Sequence, residues 1–142
     1  MRCVDVNVLV YAFRSDSLEH DAYRSRLDEW ANDDEPLGLP DVVLSGVIRL
    51  VTNRRIFADP TPPDNAWSRV NDLLAAPAST LLLPGDHHWN HFVRLAGQID
   101  AKANDLTDAY IAAFAVENNA TLISADRGFR RFDGVRWQHP LS

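Results

Sequence analysis

The chain has 142 residues, 46% hydrophobic and 24% charged, which excludes a disordered or fibrous chain and predicts one domain, residues 1–142, around a single core. Its formal net charge of −6 argues against clamping nucleic-acid phosphates by overall surface charge, although bound divalent cations let clustered carboxylates face phosphate. A single cysteine, Cys3, excludes an internal disulfide. No apolar run approaches the ~18 residues of a membrane span, and Asp5 and Asn7 interrupt what would be a signal peptide, so a cytosolic protein with no membrane partner is expected.

Residues 2–6 read as a first strand, with Cys3, Val4 and Val6 apolar around Asp5, and the pattern turns helical from Asn7. Asp5 therefore lies near the carboxyl end of a central strand, the side on which open α/β sheets bind ligands. An aspartate within an apolar run is costly unless it is hydrogen-bonded, protonated or bound to a cation. A helix N-cap is the simplest explanation. Cys3 reads as a small core residue.

Residues 17–32 repeat apolar side chains every three or four positions, predicting an amphipathic helix. Residues 37–39 predict a short strand, and Asp41 the N-cap of a buried helix over 42–53. Residues 56–64 carry Pro60, Pro62 and Pro63 and predict an irregular loop. A helix follows over 65–76, with Trp67, Val70, Leu73 and Leu74 inward, then a buried strand over 80–83 and a helix over 87–101. His87 and His91 share a helix face. Without an obvious third ligand they read, with His88, as structural or surface residues.

Asn104 or Asp105 opens a helix apolar all round, closed by Glu117-Asn118-Asn119. Residues 121–124 predict a strand just before Asp126, and 135–137 a last one. The alternation of strands and helices predicts a parallel sheet covered on both faces, a three-layer α/β/α sandwich.

Asp5 and Asp126 each sit at the end of a buried-looking strand, and Asp105 and Asp108 in the first turn of the apolar helix. Separately, each has an ordinary role as a cap, a first-turn acid or a turn residue. Parallel strands bring all four to one edge of the sheet. There they repel: a pair about 4 Å apart at an effective dielectric of about 20 costs roughly 4 kcal/mol. A hard, oxygen-seeking cation relieves this, which points to Mg²⁺ or Mn²⁺ and phosphodiester hydrolysis. Arg49, Arg54 and Arg127 are candidate contacts to a nucleic-acid backbone.

Three stretches in order, 5–11 (DVNVLVY), 104–113 (NDLTDAYIAA) and 124–129 (SADRGF), resemble the acidic motifs of PIN-domain proteins. Residues 51–57 and the ending 136–141 resemble segments of the VapC-type toxins within that family. The resemblance runs nearly end to end. It implies a PIN-like fold and a Mg²⁺- or Mn²⁺-dependent ribonuclease, the toxin of a toxin–antitoxin pair, held by a VapB-type antitoxin and homodimeric. Carried over by position, Asp5, Asp108 and Asp126 match metal-binding acids and Asn7 the polar residue beside the first. Asp105 is an additional acid. Many PIN domains have a glutamate where this chain has Gly46, so a second acid is missing unless Asp41 or Asp105 stands in. That departure leaves room for a catalytically weak or inactive interaction domain. A phosphatase with Asp5 as nucleophile ranks lower, because Asn7 stands where a second acid is wanted.

Overall fold

Arg2–Val4 form β1, and Cys3 and Val4 are fully buried. A strand apolar on both faces belongs in the middle of a covered sheet. The computed structural model, which describes residues 1–142, places it there. The remaining elements are α1 (Val6–Phe13), α2 (His20–Ala31), β2 (Leu37–Pro40), α3 (Asp41–Val51), α4 (Pro63–Leu74), β3 (Ser79–Leu82), α5 (His88–Gln98), α6 (Asn104–Glu117), β4 (Thr121–Ile123), a 3-10 helix (Arg127–Arg131) and β5 (Trp137–Gln138).

The sheet has five strands in the order β3-β2-β1-β4-β5, and every neighbouring pair is parallel. The chain steps outward from β1 to β2 and β3, then crosses back to β4 and β5. The boundary between β1 and β4 is thus a topological switch point, where the loops leaving two adjacent strands diverge and open a crevice. Helix α1 packs on α2 and α3, and α3 on α4, while α5 packs on α6, which lies against β1 and β4. This is the expected three-layer α/β/α arrangement.

Several expected details shift. β1 ends at Val4, and Asp5 caps a helix that already begins at Val6. α2 starts at His20 rather than 17, because Glu19 adopts a left-handed φ of 59°. Asp41 is the first residue of α3 rather than its N-cap, and its Oδ1 accepts the Val42 N–H at 2.7 Å. Trp67 is 55% exposed, because the inner stripe of α4 runs through Ala66, Val70 and Leu73, and residue 67 lies a step round the helix. The strand expected to be buried, β3, is an edge strand with Leu81 exposed. β5 begins only at Trp137, after the chain leaves the 3-10 helix.

Cys3 is a core residue, as expected: burial, helped by the Asp5 charge, pushes its thiol up to about 12. His88 is also core. Its Nε2 lies 3.0 Å from the Tyr110 carbonyl, and its ring packs on Tyr110 and Phe114. The loop between α3 and α4 is anchored by the buried Arg14. That guanidinium donates to the Asp59 carbonyl at 2.8 Å, pairs with Asp16 and stacks 3.9 Å from the Phe57 ring. No helix is long and apolar enough to cross a membrane.

Phe114 is fully buried in α6, the helix that backs both central strands. Phe114→Ala is expected to lower unfolding free energy by about 3–5 kcal/mol, read by urea denaturation.

Candidate metal and catalytic site at the switch point

The register of β1 on β4 pairs Val4 with Ile123. One step further along both strands are Asp5 and Ser124, and their side chains meet: the Ser124 hydroxyl donates to Asp5 Oδ2 at 2.7 Å. Asp5 also fulfils the N-cap role read from the sequence, its Oδ1 accepting the Val6 N–H at 2.7 Å. Capping and site-building are therefore one placement of one carboxylate.

Asn7, in the first turn of α1, pins the two strand ends together. Its Nδ2 donates to Asp5 Oδ2 at 3.2 Å and to Ser124 Oγ at 3.0 Å, and its Oδ1 accepts the Ala125 N–H at 3.1 Å. Both ends of this side chain are thereby engaged in orienting Asp5. Ser124 Oγ accepts a further bond from the Asp126 N–H at 3.0 Å. Asp126 caps the 3-10 helix, its Oδ1 taking the Gly128 N–H at 2.8 Å. Fully buried Ser124 is thus the hub of the site. In the sequence it is the end of a strand and the first residue of the 124–129 motif, and nothing there marks it as a partner of Asp5.

Asp108 comes from α6, in its second turn rather than the expected first, and Asp105 is a first-turn acid of a helix whose N-cap is Ala103. Asp5, Asn7, Asp108 and Asp126 line one open cleft of about 380 Å³. Asp105 is not among its lining residues but is tied to Asp108, both accepting from Arg131 Nη2 at 3.1 Å. The rest of the lining is hydrophobic: Val6, Val10, Tyr11, Leu50, Ile56 and Phe57. Arg49, Arg54 and Arg127 are exposed, make no ion pair, and lie within two residues of Leu50, Ile56 and Asp126 respectively.

Gly46, at the position of the missing acid, faces Val6. A Cβ there would stand 3.3 Å from Val6 Cγ2, so the small residue lets α3 approach α1 beside the site. Asp41 does not line the cleft.

The electrostatics follow from burial. Asp5 is 7% exposed, and its carboxyl is held above the ordinary value of 3.8 chiefly by desolvation, with the charges of Asp108 and Asp126 adding to it; the Ser124 and Val6 hydrogen bonds pull the other way. Asp108 is likewise raised by desolvation and by Asp126 and Asp105, against the Arg131 hydrogen bond. Two carboxylates that are hard to ionise, open to a cleft and rich in oxygen donors, fit a hard divalent cation. No three His, Cys, Asp or Glu side chains already stand gathered around one point as an ion cage.

A PIN domain profile matches residues 2–135. The chain belongs to the PIN-domain family. Its relatives within that family are VapC ribonucleases: it is 62% identical over 141 residues to ribonuclease VapC43 of Mycobacterium tuberculosis, covering 99% of this chain and 96% of that one. Among solved structures, VapBC2 from Rickettsia felis bound to a DNA fragment from their promoter superposes with a TM-score of 0.74 at 18% identity, over 97% of each chain. VapC20 of Mycobacterium tuberculosis, a sarcin-ricin loop cleaving toxin, does so with a TM-score of 0.65 at 14% identity, over 96% of this chain and 99% of that one.

Because the folded-state values of Asp5 and Asp108 lie above 3.8, the folded protein holds more protons than the unfolded chain just above that pH, and stability falls as pH rises through the raised values. With chelator present, Asp108→Asn is expected to flatten this fall and to lower the Asp5 titration midpoint by removing a neighbouring charge. Urea unfolding across the acid range and carboxyl NMR titration read the two effects.

Proposed function

We propose that this chain is a Mg²⁺- or Mn²⁺-dependent endoribonuclease, the toxin of a VapBC-type toxin–antitoxin module. The observation that carries the reading is the convergence of Asp5, Asp108 and Asp126 on one cleft, with Asp5 and Asp108 both raised chiefly by burial and further by neighbouring acids. The 62% identity to a VapC ribonuclease over nearly the whole of both chains supports RNA as substrate. The likeness to VapBC complexes supports a VapB-type antitoxin as partner.

Asp5 and Asp108 would hold the ion. Asp126, whose Oδ2 has no hydrogen-bond partner, would complete the site. Asp105 is the less direct acid, acting beside Asp108. A divalent ion in such a site neutralises the carboxylates, holds phosphate oxygens and makes water a better nucleophile. The chain's own residues do the positioning. Asn7 and Ser124 fix Asp5 by one hydrogen bond each and are bonded to one another, so its carboxylate does not reorganise as charge develops. In hydrolysis a water oxygen bonds to phosphorus, one P–O ester bond breaks, and the leaving oxygen takes up a proton. Arg49, Arg54 and Arg127, exposed, without ion pairs and close in sequence to cleft-lining residues, would contact the flanking phosphates. A homodimer belongs to the same reading, and α5 carries exposed Trp89 and Val93 one helical turn apart.

The missing acid at Gly46 leaves a carboxylate-poor site, so the ion should be held weakly and exchangeably. Cleavage of an RNA panel should be abolished by chelator, restored by Mn²⁺ or Mg²⁺, and reduced at least about 100-fold in Asp5→Asn. Equal cleavage by wild type and Asp5→Asn would point to a contaminating nuclease and reject the assignment. Addition of a VapB-type antitoxin should suppress the activity without chelator.

A further inference from the structure

Arg131 is the charged side chain at the cleft that the nuclease reading leaves unused. Its Nη2 lies 3.1 Å from both Asp105 Oδ1 and Asp108 Oδ2, and its Nη1 donates to the Gly128 carbonyl at 2.9 Å. One guanidinium therefore bridges two acids while tethered to the loop that carries a third. Gly128 makes room for it: a Cβ there would stand 2.5 Å from Arg131 Nη1 and 2.9 Å from Asp126 Oδ1. The other arginines of the 3-10 helix do not share this placement. Arg130 lies over the Trp137 ring and Arg127 has no carboxylate partner.

We propose that Arg131 is an internal counter-cation. It occupies Asp108 in the metal-free protein and yields Asp108 Oδ2 to an arriving divalent ion. This rests on the metal-dependent reading above and gives that site a built-in competitor. Guanidinium and divalent ion seek the same carboxylate lone pairs, and their like charges repel, so each weakens the hold of the other. Arg131 is here a positioning residue: it acts on the ion through Asp108. Its partial exposure keeps the exchange accessible, with 31% of the side chain open to solvent.

The test is Mn²⁺ binding to the RNA-free protein, followed by electron paramagnetic resonance, for wild type, Arg131→Gln and Arg131→Lys. The wild-type Arg131 side-chain N–H resonance is followed during Mg²⁺ addition. Arg131→Gln should bind Mn²⁺ about threefold or more tightly than wild type, the size expected when a competing ion pair is removed. Arg131→Lys should stay near wild type, and the Arg131 resonance should shift on Mg²⁺ addition. Unchanged or weaker Mn²⁺ binding by Arg131→Gln, with wild-type binding intact and the resonance unmoved, would make Arg131 a fixed structural clip and overturn the proposal alone. Absence of Mn²⁺ binding in wild type and Arg131→Gln alike would reject the metal site itself.

Discussion

The structure depends on the parallel pairing of β1 with β4. Its register sets Val4 against Ile123, so the next residue on each strand, Asp5 and Ser124, arrives at the same edge of the sheet. A carboxylate at that depth is tolerable only because its oxygens are met by the Val6 N–H, the Ser124 hydroxyl and the Asn7 amide. The first and third of these are local to β1 and α1, but a slip of one residue would break the Ser124 contact, which alone crosses to β4, and send Cys3 and Val4 to the wrong faces. The same pairing thus orders the core and builds the cleft.

Around that junction the site is assembled from opposing requirements. Fixing Asp5 rigidly favours function, while crowding it with Asp108 and Asp126 raises the cost of its charge. The hydrogen bonds from Ser124 and Val6 offset part of that cost and Arg131 offsets part of the cost at Asp108. What remains is a cleft in which two desolvated acids are hard to ionise. Its apolar wall, with Phe57 backed by the buried Arg14, holds shape without adding competing charge.

Gly46 shows how a departure from a family pattern has a physical setting. The position lies against Val6, next to the residue that caps α1, and a Cβ there would have to displace the tip of the Val6 side chain by a few tenths of an ångström. Neither Asp41, engaged at the start of its own helix, nor Asp105, engaged with Arg131, lines the cleft. Three acids line the cleft, and an arginine is paired to one of them.

Periodicity and composition by themselves determined the alternation of strands and helices, the buried Cys3 and α6, and the acids at strand ends. These are local signals: a residue's neighbours along the chain decide which face it shows. Asp5, Asp108 and Asp126 stand out in this way as acids at strand ends and a helix start, whereas Asn7 stands out only through the resemblance to PIN-domain motifs. The inward placing of Trp67 and the burial of β3 were misread, because periodicity marks an apolar face but not what covers it. Only the tertiary structure decided that β3 is an edge, that Ser124 joins Asp5, Asn7 and Asp126, and that Arg131 bridges Asp105 and Asp108. Those contacts join residues far apart in sequence, and strand order with register, which no local pattern encodes, sets who meets whom.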